Sequence, residues 1–217
     1  EVGGVDAVAA HQRALEPALL ELGGQRTGDR VLAAVIDQVG VGAVDAQTVA
    51  GALVQTSLWG IDSHGIARLG HYLARIEAGS IAPVPAVQIT ASGPCTAQMD
   101  GGHGLGIVVC TAAMAHAIEL AQSQGVGIVG IGESTHCGAI GLYTRQAAAR
   151  GLIGLAFTHA DSIVAPAGGR QKLLGTNPLS IAFPNADGPP ICLDMATSSI
   201  PWNRVMTARR EGHSLPD

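Results

Sequence analysis

Asp62-Ser63-His64-Gly65-Ile66-Ala67-Arg68 places a hydroxyl, an imidazole and a guanidinium within one short segment. A serine hydroxyl beside an imidazole can fix its tautomer, and Arg68, one helical turn beyond His64, points to the same side. An acid–base group and a carboxylate clamp would then share a wall. A second cluster, Ser134-Thr135-His136-Cys137-Gly138-Ala139, directly follows a Val/Ile/Gly-rich strand candidate. His136 lies where a strand yields to a glycine turn and then a helix, the usual place for ligand contacts in α/β architecture, and backbone N–H groups at that helix start can hold a phosphate. In a third cluster, Asp194-Met195-Ala196-Thr197-Ser198, a carboxylate and two hydroxyls emerge where the apolar run Pro190–Leu193 should end. Asp194 there either accepts from ribose hydroxyls or caps a helix beginning at Ser198. Thr176 and Asn177, within Gly175-Thr176-Asn177-Pro178, either bind a substrate oxygen or serve the turn itself.

Each residue type also has a plainer use. Ser63 serves equally as a helix cap with His64 on the surface, and His136 as a capping imidazole. Cys137 is a small filler rather than a redox group, because no resolving cysteine is near it in sequence. No G-x-S-x-G elbow surrounds Ser63, which weighs against a hydrolase. Gly102-His103-Gly104-Leu105-Gly106 has the spacing G-x-G-x-G, with no acidic residue about twenty positions on to hold a ribose, so its glycines read as a tight strand-to-helix turn. A nicotinamide cofactor must therefore bind outside a Rossmann site. The eight histidines show no H-x-x-x-H or comparable spacing, so no metal is expected.

The elements that must position these groups are short and aliphatic. The 217 residues are 47% apolar but only 3% aromatic, with thirty glycines, so the core is built from Ala, Val, Leu and Ile between many tight turns. A net charge of -5, with one lysine (Lys172) and no dense basic stretch, argues against nucleic acid or an anionic membrane as partner. The four cysteines form no C-x-x-C pair and read as reduced thiols. Without a run of eighteen apolar residues or a basic-then-apolar N-terminus, the expectation is a cytoplasmic protein with no membrane partner.

Residues 1–24 carry a weak helical pattern ending at Gly23-Gly24 and read as an extension. Residues 25–82 read as a helical segment carrying the Ser-His site: a stripe of Val31, Leu32, Val35, Ile36 and Val39, a helix from Ala46 to Trp59 capped by Asp45, and another from Ile66 to Ala78 closed by Gly79. Residues 83–217 form the α/β region. Strands are predicted at Val87–Ala91, Thr96–Met99, Gly127–Ile131, Ile153–Thr158, Leu179–Phe183 and Ile191–Leu193, with helices at Ile107–Gln124 and Ala139–Arg150. The alternation implies a mixed α/β fold with at least partly parallel pairing.

Taken together, DSHGIARLGHYLARIEAG (62–79), DGGHGLG (100–106), STHCGAIGLYTRQAAARGLIGLAFT (134–158), VAPAGGR (164–170), GTNPLSIAFP (175–184) and LDMATSS (193–199) resemble the malate/L-lactate dehydrogenase family of NAD(P)-dependent oxidoreductases, which includes ureidoglycolate dehydrogenase. The resemblance runs from about Thr27 to the end. It implies a mixed-sheet, non-Rossmann α/β fold, a homodimer with the active site near the subunit interface, NAD or NADP as cofactor, and hydride transfer between C4 of nicotinamide and a small 2-hydroxy or 2-oxo acid. It further implies His136 as proton acceptor, Ser63-His64 as a second catalytic pair, Arg68 as the carboxylate clamp, and Thr176 with Asn177 as substrate contacts. Cofactor contacts are implied at His136, Cys137, Gly138, Ala160, Asp194, Met195 and Ala196.

Two departures from the family pattern matter. Thr158-His159-Ala160 stands where many members read Thr-Asn-Ser, which puts side-chain hydrogen bonds to the cofactor there in question. Trp202-Asn203-Arg204 is basic where imino-acid-reducing relatives carry an acidic residue, which favours hydroxy-acid oxidation. The family also continues well beyond Asp217, so the expectation is a chain lacking its C-terminal part, prone to aggregate and inactive alone. The rival reading is a non-catalytic fragment that binds ligand or a partner subunit. A third is a serine hydrolase using Ser63 and His64.

Overall fold

The computed structural model describes residues 25–200, 205, 208–209 and 212–214. The expected extension at 1–24 and the Trp202-Asn203-Arg204 segment lie outside the described residues. Helix α1 (Gln25–Asp37) turns Leu32 and Ile36 inward, the two being 0% and 2% exposed. It packs on α2 (Ala43–Leu58), whose Ala46, Val49, Ala50, Leu53 and Val54 recur at helical spacing and are all buried. The cap of α2 is Gly42 rather than Asp45, which lies inside the first turn. A carboxylate there still meets the positive end of the helix dipole.

The helix predicted from Ile66 begins instead at Leu69, as α3 (Leu69–Glu77), preceded by two 3-10 turns at Asp62–His64 and Ile66–Arg68. Ser57 explains the difference. Its Oγ accepts from the Ile66 N–H at 3.0 Å, and a Cβ at Gly65 would collide with Ser57, so the chain is drawn tightly onto α2. Gly79, at φ +71°, closes α3.

Strand β1 (Gln88–Gly93) pairs antiparallel with β2 (Thr96–Gly104). Helix α4 (Gly106–Gln124) ends on left-handed Gly125 and returns the chain to β3 (Ile128–Ser134), parallel to β2. By length and composition α4 could cross a membrane; in the fold it packs on β2, β3 and α2. After α5 (Gly141–Ala148), strands β4 (Gly154–Phe157), β5 (Leu179–Phe183) and β6 (Ile191–Met195) form a wholly antiparallel sheet. Among the described residues, parallel pairing of strands occurs at β2 and β3, with one further parallel bridge between Ala82 and Gly104.

The chain divides into two compact units, the first running through Leu142 and the second from Tyr143. The boundary does not fall after residue 82, because Ile81, Leu105 and Ile107 share one buried cluster with the side chains of α1 to α3. In the second unit, Ser180 and Ala182 turn to the buried face of the sheet, where Thr144 Oγ1 and Ser180 Oγ lie 2.7 Å apart. The opposite face carries Leu155, Phe157, Leu193 and Met195, all exposed. Residues 197–200 bend and form no helix, so Asp194 caps none at Ser198; it sits within β6.

Candidate functional site

The first unit brings Ser63, His64, Arg68 and His136 together. Ser63 Oγ lies 2.9 Å from His64 Nδ1, and Arg68 Nε donates to the Ser63 carbonyl at 2.9 Å. The 3-10 turns, not an α-helix, set this arrangement. His136 follows β3, on a loop pinned by its neighbour: Thr135 Oγ1 accepts from the Gly106 N–H at 3.1 Å and donates to the Gly104 carbonyl at 2.9 Å. A Cβ at Gly106 would strike the Thr135 and His136 carbonyls, so only glycine lets the start of α4 approach this loop. Gly102 and Gly104 instead make room for Ala86 and Pro85.

The His64 and His136 rings stack with centroids 5.5 Å apart and planes 19° from parallel. His71 meets His136 edge-on at 6.2 Å. Tyr72 Oη lies 2.8 Å from His136 Nδ1, which the Gly138 N–H also approaches at 3.3 Å. Tyr72 and His71 are the site neighbours that sequence reasoning missed. Tyr72 reads as one member of an apolar helical stripe, and the only local signal of more is its place one turn beyond Arg68.

Burial, and then the Arg68 guanidinium, lower His64 to about 4. His136 falls to about 3 through burial first, then Arg68, His64, His71 and Arg75. His71 is lowered by burial and the same two arginines. Both stacked imidazoles are therefore uncharged at neutral pH, and the fixed charges that depress them are the Arg68 and Arg75 guanidiniums. Such a site attracts an anion and offers neutral nitrogens to accept or share its proton. A serine hydrolase needs a carboxylate behind the imidazole; His64 has Arg68 instead.

Cys137 is buried, 8% exposed, and hydrogen-bonds to Cys110. That bond, with burial, pushes the Cys110 thiol up, so Cys110 stays protonated.

The second unit holds the remaining expected contacts. Asn177, at φ +34°, uses its Oδ1 to accept from the Ala160 N–H at 3.1 Å. Thr197 N and Oγ1 both donate to the Thr176 carbonyl, at 2.9 and 3.0 Å. Thr176 lines an open pocket of about 280 Å³ with Ile163, Val164, Ser198, Ser199 and Ile200. Asp194 is half-buried beside exposed Met195, with Ala196 next in the chain. No group of three metal-ligating side chains occurs among the described residues.

Residues 26–217 match the sequence model of the family described as malate/L-lactate dehydrogenase. The chain belongs to the malate/L-lactate dehydrogenase family. It is 42% identical over 183 residues to a malate dehydrogenase of Pyrococcus abyssi, covering 84% of this chain and 50% of that protein. It is 38% identical over 180 residues to an NAD(+) ureidoglycolate dehydrogenase of Escherichia coli, covering 83% and 52%. Among solved structures, the malate dehydrogenase of Pyrococcus horikoshii aligns with a TM-score of 0.80 at 39% identity, over 83% of this chain and 52% of that one. The fold is therefore the mixed α/β, non-Rossmann fold of the malate/L-lactate dehydrogenase family. The chain spans about half the length of these relatives.

Proposed function

We propose that this member of the malate/L-lactate dehydrogenase family serves an NAD(P)-dependent oxidoreductase of the EC 1.1.1 type that interconverts a small 2-hydroxy acid and its 2-oxo acid. The observation that carries the reading is the pair of stacked, uncharged imidazoles, His64 and His136, under the positive field of Arg68. Arg68 holds the substrate carboxylate and so fixes which face of the acid is presented. His136 takes the hydroxyl proton in oxidation and returns it in reduction; Ser63 orients His64 as its neighbour. A carboxylate docked on Arg68 cancels part of the field that depresses His136, so binding itself raises the basicity that the proton transfer requires.

The second unit fits part of a pyridine nucleotide. The hydroxyls of Thr176, Ser198 and Ser199 lie among apolar walls, and the Gly175 and Ala160 backbones meet where a Cβ would not fit. Within this unit Ala160, Asp194, Met195 and Ala196 are assigned as its contacts, with Asp194 accepting from a ribose hydroxyl. Thr176 and Asn177 are assigned as further substrate contacts; with Oδ1 taken by Ala160, Asn177 offers its amide N–H groups. The nucleotide, NAD or NADP, supplies the hydride acceptor and donor. The reading extends to a cytoplasmic homodimer. The test is oxidation of NADH and NADPH with a panel of 2-oxo acids; silence across the panel from folded full-length protein overturns it. Because the chain spans about half of its relatives, a second reading is a ligand-binding piece that turns nothing over, and it predicts that silence together with saturable binding of a 2-hydroxy acid.

A further inference from the structure

His136 makes two hydrogen bonds through Nδ1, and they make different demands. The Gly138 N–H can only donate, so it favours a lone pair on Nδ1 and places the ring proton on Nε2. In that tautomer Nε2 can give a hydrogen bond but cannot take a proton. To accept one, Nε2 must carry the lone pair and Nδ1 the proton, which then needs an acceptor. Tyr72 Oη, 2.8 Å away, is the group at Nδ1 that can either donate or accept.

We propose that Tyr72 is the positioning residue for His136, its hydroxyl turning between donating to Nδ1 and accepting from it so that Nε2 can both take and return a proton. The inference rests on His136 being the proton carrier of the reaction above. In oxidation, the substrate O–H bond breaks and an Nε2–H bond forms. The C2–H electron pair leaves as hydride to the oxidised pyridine nucleotide, and the Nδ1–H is held by the Tyr72 oxygen. In reduction every transfer reverses. Tyr72 is suited to this because its ring is fixed: it is 2% exposed, packed in the core of α1 to α3, and only the hydroxyl hydrogen has to move. Burial holds the phenol well above its ordinary range, so it works as a hydroxyl and never as a phenolate. The groups facing the pair are Arg68, Arg75, His64 and His71 around the imidazole and Cys110, Cys137 and Arg68 around the phenol.

The test is Tyr72→Phe in full-length protein, read in two ways. Ring nitrogen-15 NMR of His136 should move to the pure Nε2–H tautomer pattern, and kcat should fall about 30-fold, a sizeable part of what a general acid–base group supplies, while KM for the acid stays within about threefold. An unchanged nitrogen pattern, or a loss confined to KM, overturns the proposal. Should the variant fail to fold, 3-fluorotyrosine replaces it. Site-specific incorporation of 3-fluorotyrosine at position 72 alters Tyr72 alone. A fluorinated phenol donates better and accepts worse, so the Nε2–H tautomer should gain population; no change overturns the role. An inactive parent protein overturns the dehydrogenase reading and leaves the tautomer measurement to decide Tyr72 separately.

Discussion

The two units handle polar chemistry in opposite ways. In the first, Ser63, His64, Arg68, Tyr72 and His136 are already in mutual contact, on a scaffold whose core side chains are almost fully buried. In the second, Thr176 and Asn177 bond to neighbouring loops of the same unit, and one sheet face shows Phe157 at 74% and Ile191 at 65% exposure. The groups assigned to proton transfer are thus already assembled within one unit. The groups assigned to the nucleotide sit beside an apolar sheet face of the kind usually found in contacts with further protein.

The sharpest way to break this comparison is His136→Ala. It should lower kcat/KM by about 10²- to 10⁴-fold with nucleotide affinity nearly kept, whereas Asp194→Ala should do the reverse, weakening nucleotide binding while leaving most of the rate at saturation. Steady-state kinetics and a fluorescence titration of the nucleotide separate the two. Equal losses in both variants would mean that the division of labour between the units is not real. Next in size, Arg68→Lys should raise KM for the acid about tenfold, because a lysine keeps the charge but loses the paired N–H groups that match a carboxylate. A KM unchanged in Arg68→Lys places the clamp elsewhere.

Acid should discriminate between the units as well. His64 and His136 are depressed to about 4 and about 3 in the folded chain, against about 6.5 when unfolded. Between these values the unfolded chain binds more protons, so the stability these residues contribute is complete above about pH 6.5 and is lost as pH falls towards 4. Denaturation midpoints from pH 7 to 4 should therefore drop, and His136→Phe should flatten the slope; a parent slope of zero contradicts the buried neutral state. The smallest expected effect is Gly51→Ala on α2, where a Cβ meets nothing within 4 Å. It should stabilise the first unit by about 0.5 to 1 kcal/mol, visible as a small rise in Tm.

Much of this was legible in the sequence because it depends on local pattern. Helical spacing located α1 and α2, and Gly79 marked the end of α3 through a conformation that other residues resist. The start of α3 was not legible, since Ser57, nine residues before Ile66, tightens that segment from across α2. The expected partly parallel pairing is met at β2 and β3, whereas alternation of strands and helices says nothing of how β4, β5 and β6 turn back on one another. Within the candidate site, Ser63, His64, Arg68 and His136 stood out by residue type. Tyr72 did not, because an apolar stripe and a hydrogen-bonding core tyrosine look alike until the fold brings the far strand beside it.

That distance along the chain has a kinetic side. Tyr72 and His136 are separated by 64 residues, and the loop between them contains β1, β2 and α4. Contacts of such long range form slowly, because the intervening chain must be ordered first. During synthesis, α1 to α3 emerge and can pack while the partner imidazole is still inside the ribosome, so a nascent chain acquires its hydrophobic centre before it acquires any capacity for proton transfer. Assembly of the candidate site is then a late folding event, and a chain stalled before β3 would hold His64 and Tyr72 without the imidazole they meet.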